Sequence, residues 1–395
     1  MKDSKCNQLI SSIADRISLS KAFGDIGLLS GSMGEIIFLY EYSKIDKKYL
    51  EYAEKKFDHM YESIYNGNIF HSYCSGLPGI CVGISYLQEK GILDKNSFIS
   101  DEIDSYIELK LNKCFNDKNY DFLHGAIGIG LYFLDRFTSN KTKYGKILKD
   151  IINFIYINAI FSREGYVRWS SNKFGDNNSD ISIAHGSASI IIFLCKLLPI
   201  LDTTDYYRAK KLIVGTVNFT LSLEQDTNIF NSYFPYSYNL ATKEKENSRL
   251  AWCYGDLGIS YSLLEAATVL NNNQWHKKAM EIFNYSISRT ELEKNFIHDA
   301  SLCHGTIGIA LIFYKLYIRT NDMKFLHITQ YWIKKTLEFC NPNESIDSFK
   351  LYFEINENKW SNRTGILEGL AGIGLTLNSY NNRDNADWSK FLLLY

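Results

Sequence analysis

The 395-residue chain lacks an excess of charge of either sign: 43 Lys and Arg stand against 44 Asp and Glu, giving a net charge of −1 and a pI near 6.7. With no global basic field to attract nucleic acid or an anionic surface, nucleic acid is set aside as a partner. The chain also lacks an apolar run long enough to cross a bilayer. Its longest stretch, about Ile190 to Leu201, is broken by Lys196 and Pro199 and falls short of the roughly 20 residues that a spanning helix needs. Met1 to Phe23 mixes Lys2, Asp3, Lys5, Asp15, Arg16 and Lys21 with short apolar stretches, which is not the plan of a secretory signal. A soluble, cytoplasmic protein is expected. Its eight cysteines should then be reduced thiols rather than a disulfide framework. Cys81, Cys195 and Cys340 lie in apolar helical runs and are expected as packing residues.

What the chain has is a seven-fold internal echo. The copies read Leu-Ser-Gly31-Ser-Met-Gly34, Cys-Ser-Gly76-Leu-Pro-Gly79, Leu-His-Gly125-Ala-Ile-Gly128, Ala-His-Gly186-Ser-Ala-Ser189, Cys-Tyr-Gly255-Asp-Leu-Gly258, Cys-His-Gly305-Thr-Ile-Gly308 and Leu-Glu-Gly369-Leu-Ala-Gly372. Repeats decide architecture before any single motif does. Their first glycines are spaced by 45, 49, 61, 69, 50 and 64 residues, enough for two helices and two loops per copy. After each glycine pair comes a nearly continuous apolar run, such as Ile129 to Leu134 or Ile309 to Tyr314, which suits a buried helix. Between these runs lie amphipathic stretches with apolar residues three to four apart: Leu50, Ala53, Phe57, Met60 and Ile64; Ile147, Ile151 and Ile155; Ala279, Ile282 and Phe283; Phe325, Ile328 and Trp332.

Buried helices alternating with half-buried ones, seven times over, predict an all-α protein: two concentric rings of helices closed into an α/α toroid. A linear solenoid is the competing arrangement, but it needs polar caps on its end repeats, and copies one and seven keep the full apolar run. The whole of 1–395 is expected as a single domain. The long intervals before Gly186 and Gly255 predict elaborated loops around 158–182 and 225–248. The second of these, Asn228 to Asn239, is aromatic, polar and almost uncharged, as suits either a wall against a peptide or a loop packed by its own tyrosines.

Chemistry concentrates in the slot just before the first glycine. Cys253 and Cys303 stand two residues before it in neighbouring copies five and six, and His304 follows Cys303. If neighbouring copies are neighbours in space, these residues converge as a Cys–Cys–His set with an open fourth position, as in catalytic zinc sites. Two thiolates and a neutral imidazole cancel the charge of zinc. An incoming thiol can then be held as thiolate at neutral pH, although a free cysteine has a pKa of about 8.5. Activation of water is the rival use; a thiolate-rich donor set of low Lewis acidity favours sulfur. Cys74 shares the offset in copy two but is followed by Ser75, and is expected to be structural.

The set Trp252-Cys-Tyr-Gly255, Cys303-His-Gly305, Ala184-His-Gly186 and the seven glycine units, from Gly31 to Gly374, resembles the lanthionine synthetase C family. That resemblance implies one zinc ion held by Cys253, Cys303 and His304. It implies an intramolecular addition of a peptide cysteine to dehydroalanine or dehydrobutyrine, forming lanthionine or methyllanthionine thioether rings. It further implies a dehydrated precursor peptide, leader plus core, as partner, and a complex with a separate dehydratase and an exporter that would place the protein peripherally at the membrane. Carried over, His185 matches the acid–base histidine, Asp121 the aspartate of the third repeat, Arg249 the arginine and Tyr254 the tyrosine. Taken alone, His185 reads equally as a buried histidine on a backbone carbonyl, Asp121 as a helix cap and Arg249 as a solvated loop charge. His124 and Glu368 also fill the slot and are expected at the rim. Ser189 replaces the second glycine of copy four and should alter only a helix start. Two other classes compete. A non-cyclising zinc protein that binds a peptide or glutathione could lose His185, Asp121 or Arg249. A toroidal glycosidase would need paired carboxylates, for which Asp121 and Glu368 are the candidates.

Overall fold

A computed structural model describes all residues except 1–3, 21–24, 68–69, 95–97, 172–174, 176 and 355–356. Parts of the expected first loop, 172–174 and 176, therefore lie outside the described residues. The helices are α1 (Ser4–Leu19), α2 (Ser32–Ser43), α3 (Lys48–Tyr65), α4 (Leu77–Glu89), α5 (Asp101–Asn116), α6 (Ala126–Arg136), α7 (Lys141–Ile157), α8 (Ser187–Leu197), α9 (Thr203–Ser222) and the single turn α10 (Thr227–Phe230). They continue with α11 (Asp256–Val269), α12 (Asn273–Ser286), α13 (Thr306–Thr320), α14 (Met323–Phe339) and α15 (Leu370–Asn382). Six short strands form three antiparallel pairs: β1 (Ile160–Phe161) with β2 (Val167–Arg168), β3 (Asn178–Ser179) with β4 (Tyr238–Asn239), and β5 (Tyr352–Glu354) with β6 (Lys359–Ser361). No helix among the described residues is long and apolar enough to cross a membrane.

Each of the seven glycine units opens a helix: Gly31, Gly76, Gly125, Gly186, Gly255, Gly305 and Gly369 are the N-caps of α2, α4, α6, α8, α11, α13 and α15. These helices are buried nearly all round, as their unbroken apolar runs require; every residue from Asp256 to Ala267 of α11 is buried. The helices between them bury one stripe. In α7 that stripe includes Ile147, Ile151 and Ile155, and in α14 Phe325, Ile328 and Trp332, as the spacing predicts. In α3 the packed face is rotated from the expected one: Leu50 is exposed, and the face runs through Tyr49, Ala53, Lys56 and Met60. The reason is electrostatic. Lys56 Nζ lies 2.7 Å from Glu35 in α2 and donates to the Ser20 carbonyl, so a cation occupies a core position because its charge is met there.

The chain divides into two compact units, Met1–Ile99 with Ile297–Tyr395, and Ser100–Phe296. In the first, α13 packs on α15, α15 on α2 and α2 on α4. Copies one and seven are thus direct neighbours, which an open solenoid forbids. α15 is packed against by α1, from the other end of the sequence. In the second unit α6 packs on α8 and α8 on α11, each paired with its own half-buried partner α7, α9 or α12.

The glycine loop has a repeated construction that explains its spelling. In six of the seven copies the N–H after the first glycine donates to the carbonyl six residues before that glycine, as from Ser187 to Asp180 at 2.9 Å and from Thr306 to Asp299 at 3.1 Å. One of the orphan donors of the helix start is satisfied by this return. The same carbonyl lies so close that a Cβ on Gly186 would sit 2.4 Å from it, so the position admits only glycine. In copies one, three, four and six the residue six before the glycine is Asp25, Asn119, Asp180 or Asp299, whose side-chain oxygen accepts the N–H two residues on. In copies two, four and six a serine four before the glycine, Ser72, Ser182 or Ser301, caps the N–H just before the glycine. Neighbouring loops are stitched together as well. The N–H two before the glycine donates to its counterpart next door, from Cys303 to Leu367, Leu367 to Leu29 and Leu29 to Cys74 in the first unit, and from Ala184 to Cys253 in the second.

Candidate functional site

Within Ser100–Phe296 the loops of copies three, four and five bring together most of the residues singled out from the sequence. Asp121 occupies the slot that serine fills in copies two, four and six. Its Oδ1 accepts the His124 N–H at 2.7 Å, and its Oδ2 lies 2.6 Å from His185 Nδ1. One oxygen shapes the turn while the other orients the His185 ring. His185 is therefore paired with a carboxylate through Nδ1. Asp121 does not cap α6, whose N-cap is Gly125. His124 is exposed, with its ring 6.2 Å from that of His185 and nearly parallel to it.

Tyr254 is buried, its ring centroid 6.1 Å from His185, and its hydroxyl donates to Asp180 Oδ2 at 3.3 Å. Burial, reinforced by the neighbouring Asp180, pushes the phenol well above its ordinary range, so at neutral pH it is a proton-bearing donor. Asp180 is itself pushed upward by burial, against the hydrogen bonds from Ser182. Sequence reasoning missed Asp180. The signal that would have found it is the recurrence of Asp or Asn six before the glycine in four copies. Arg249 is half-buried, and its guanidinium lies 5.8 Å from the centroid of Tyr236, a residue of the second long loop. Tyr236 in turn stacks on Tyr254 at 4.3 Å with an interplanar angle of 9°. Cys253 is 3% exposed, one residue before Tyr254.

The other unit carries Cys303 and His304 in the loop before α13. Cys303 is half-buried and His304 is 8% exposed. Asp299 supports them with both oxygens: Oδ1 accepts Ser301 N–H at 2.9 Å, and Oδ2 lies 3.1 Å from His304 Nε2 and accepts Phe353 N–H at 2.8 Å. Burial alone would raise this carboxyl, yet His304 and these hydrogen bonds hold it below its ordinary range. A carboxylate on one ring nitrogen is the arrangement that orients metal-ligating histidines and fixes their tautomer. The donor types, two thiols and one imidazole, fit zinc.

Phe353 belongs to the β5–β6 hairpin, which sequence reasoning also missed; the 64-residue interval before Gly369 was its trace. The hairpin sets the Tyr352 ring 5.0 Å from that of His304, with the Arg363 guanidinium 4.5 Å over it. Glu368, expected at the rim, is paired with Arg363 and is partly exposed. The three thiols assigned to packing, Cys81, Cys195 and Cys340, are buried in their units, and burial pushes that of Cys195 up to about 12. Cys74 is buried too, and its carbonyl accepts the Leu29 N–H.

Comparison with known proteins gives first the class and then the family. The chain has the fold of nisin cyclase, the all-α α/α toroid, with a TM-score of 0.72 at 23% identity covering 98% of this chain and 96% of that one. Residues 22–393 match the family described as lanthionine synthetase C-like protein, and the chain belongs to it. Among curated relatives, the nisin biosynthesis protein NisC of Lactococcus lactis subsp. lactis is 26% identical over 410 residues, 94% of this chain and 90% of that protein. A shorter match, 28% identical over 148 residues, links 37% of this chain to 33% of the glutathione S-transferase LANCL1 of Danio rerio.

Proposed function

We propose that this protein is a zinc-dependent lanthipeptide cyclase that adds cysteine thiols of a dehydrated precursor peptide to its dehydroalanine and dehydrobutyrine residues, forming lanthionine and methyllanthionine rings. The observation that carries the reading is the Asp121–His185 pair standing beside Tyr254, with Arg249 over the Tyr236 ring that stacks on Tyr254, in a member of this family. Cys253, Cys303 and His304 would hold the metal, His304 through Nδ1 because Asp299 engages Nε2. Zinc so bound supplies the charge that keeps a substrate thiol deprotonated and nucleophilic near neutral pH.

The remaining chemistry belongs to the chain's own residues. Attack of sulfur on the β-carbon moves the double-bond electrons onto the carbonyl, and an enolate forms. Tyr254, a neutral donor, and Arg249, a fixed cation, stabilise that oxygen. His185, held in place by Asp121, takes the thiol proton or returns one through Nε2 to the α-carbon; delivery from one side sets the stereochemistry. The chain acts as one domain, in the cytoplasm, beside a dehydratase and an exporter that bring it to the membrane.

The test is incubation of a dehydrated, cysteine-containing nisin precursor with the protein, followed by alkylation and mass spectrometry. The reading expects alkylatable thiols to disappear and a chelator to preserve them; thiols left intact with zinc-loaded protein, while NisC consumes them in parallel, sink it. The match to the glutathione S-transferase favours a second reading, a thiol-binding protein that does not cyclise. Conjugation of glutathione to a small electrophile, with no cyclisation, would support it instead.

A further inference from the structure

The two long loops meet. β3, in the first, pairs with β4, in the second, through Asn178 with Asn239 and Ser179 with Tyr238, and Leu240 N–H extends the contact to the Asn177 carbonyl at 2.9 Å. A ladder this short is marginal by itself. The second loop, however, is also fixed at its base. Asp256 accepts the N–H groups of Tyr233 and Phe234, each at 3.0 Å, and is paired at 2.8 Å with Arg289, whose other nitrogens reach Asn295 and the Ser248 carbonyl. Ser232, fully buried, accepts the Ser248 N–H, one residue before Arg249.

Between base and ladder lie Pro235, Tyr236 and Ser237. Anchored on both sides and stiffened by a proline, this span lays the Tyr236 ring flat on Tyr254 and under the Arg249 guanidinium. Asp180, the residue after β3, receives the Tyr254 hydroxyl. One small ladder thus carries, at its two edges, the groups that hold Tyr254 by its ring and by its oxygen.

We propose that Tyr236 is a positioning residue of the reaction: the strap from Ser232 to Asn239 is a clamp that sets where Tyr254 and Arg249 stand, and its aromatic ring is the jaw. The inference rests on the cyclase reading, in which Tyr254 and Arg249 face the developing oxyanion. Groups in that role must be held to within about 0.5 Å, and a displacement of about 1 Å costs up to roughly 100-fold in rate. A ring stacked on Tyr254 supplies the constraint; its own hydroxyl is not required.

Tyr236→Leu is therefore expected to lower kcat for thioether formation by about 10- to 100-fold with KM changed less than about twofold and zinc content unchanged. Tyr236→Phe, which keeps the stack, should restore most of the rate. An unaltered kcat in the leucine variant overturns the proposal, as does a phenylalanine variant equally impaired, since that assigns the role to the hydroxyl. A change confined to KM overturns it too, in favour of a direct peptide contact. A readout independent of turnover uses 3-fluorotyrosine at position 236 in the full-length protein. Its fluorine resonance should move when Tyr254 is changed to Leu, and a resonance blind to that change overturns the clamp even in an active enzyme. Wild-type protein that leaves precursor thiols intact overturns the cyclase reading, while the fluorine measurement still decides whether the clamp exists.

Discussion

Copies five and six place a cysteine at the same point of the same loop and support it by opposite means. In copy six much of the support comes from one residue of the loop itself. Asp299 makes the local turn and braces His304 with its carboxylate, and returns the helix-start hydrogen bond with its backbone carbonyl, so one residue does three jobs within a short stretch of chain. In copy five the corresponding residue is Arg249, whose side chain cannot accept a hydrogen bond. Gly255 there takes a φ of +91, a left-handed value found at no other first glycine. Support comes instead from outside, from the buried Asp256–Arg289 pair and the strap it anchors. The exchange places a cation in this loop, at the cost of a long insertion. A self-contained loop suits a rigid ligand; an externally held one suits donors whose placement a loop can tune.

The first way to break this comparison is to remove either thiol. Cys253→Ala and Cys303→Ala should each abolish zinc binding and lower cyclisation by about a thousandfold, the several kcal/mol that a bound metal supplies. Metal analysis of purified variants checks this, and a variant that keeps both its zinc and its rate would show that the two loops do not serve one ion. His185→Asn should cut kcat by about 100-fold or more, within the range of general acid–base groups, while zinc stays bound; zinc lost with the rate would make His185 part of the metal site.

External support predicts a stability effect that copy six does not share. Arg289→Leu leaves Asp256 buried without its cation and should cost about 3–5 kcal/mol, read as a lower urea midpoint. A loss below about 1 kcal/mol would mean that the strap is held by other contacts. The matching change in copy six, Asp299→Asn, keeps the Oδ1 turn but weakens the brace on His304. It should lower zinc affinity by about 10- to 100-fold with the unfolding midpoint of metal-free protein little altered. Competition with a chromogenic chelator measures it, and unchanged affinity would detach Asp299 from the metal. The smallest effect belongs to Ser189, whose hydroxyl bonds the Gly186 carbonyl at 2.7 Å inside the first turn of α8. Ser189→Gly should shift stability by no more than about 1 kcal/mol.

The glycines made the architecture legible because their requirement is absolute: a backbone carbonyl stands where a Cβ would be in six copies, and the Asn119 side-chain oxygen does so at Gly125. The apolar runs were legible for the same kind of reason, since burial on all sides leaves no polar position to confuse the period. Lys56 was not, because a charge in a core stripe is decided by a partner in another helix. Asp180 and Asp299 hid behind ordinary turn chemistry; only their second oxygens reach beyond the loop, to Tyr254 and to the Phe353 N–H, and that is a three-dimensional fact. Tyr236 and Tyr352 came from irregular insertions, where no period exists to be read. What the pre-glycine slot did reveal was residue type at equal offset, enough to single out Cys253, Cys303, His304 and His185 before any distance was known.

The stitch from Leu367 to Leu29 has a consequence in time. Its two residues are separated by 338 positions, and copy seven is the last glycine unit to be made. At about 5–20 residues per second the ribosome needs roughly 17–70 s to deliver Leu367 after Leu29 has emerged. Through that interval the first copy presents to the cell an apolar helix face and a carbonyl whose folded-state partners, α15 and the Leu367 N–H, are not yet made. Nascent chains of this protein should thus depend on a holding chaperone until translation ends, far more than the local simplicity of each helical hairpin would suggest.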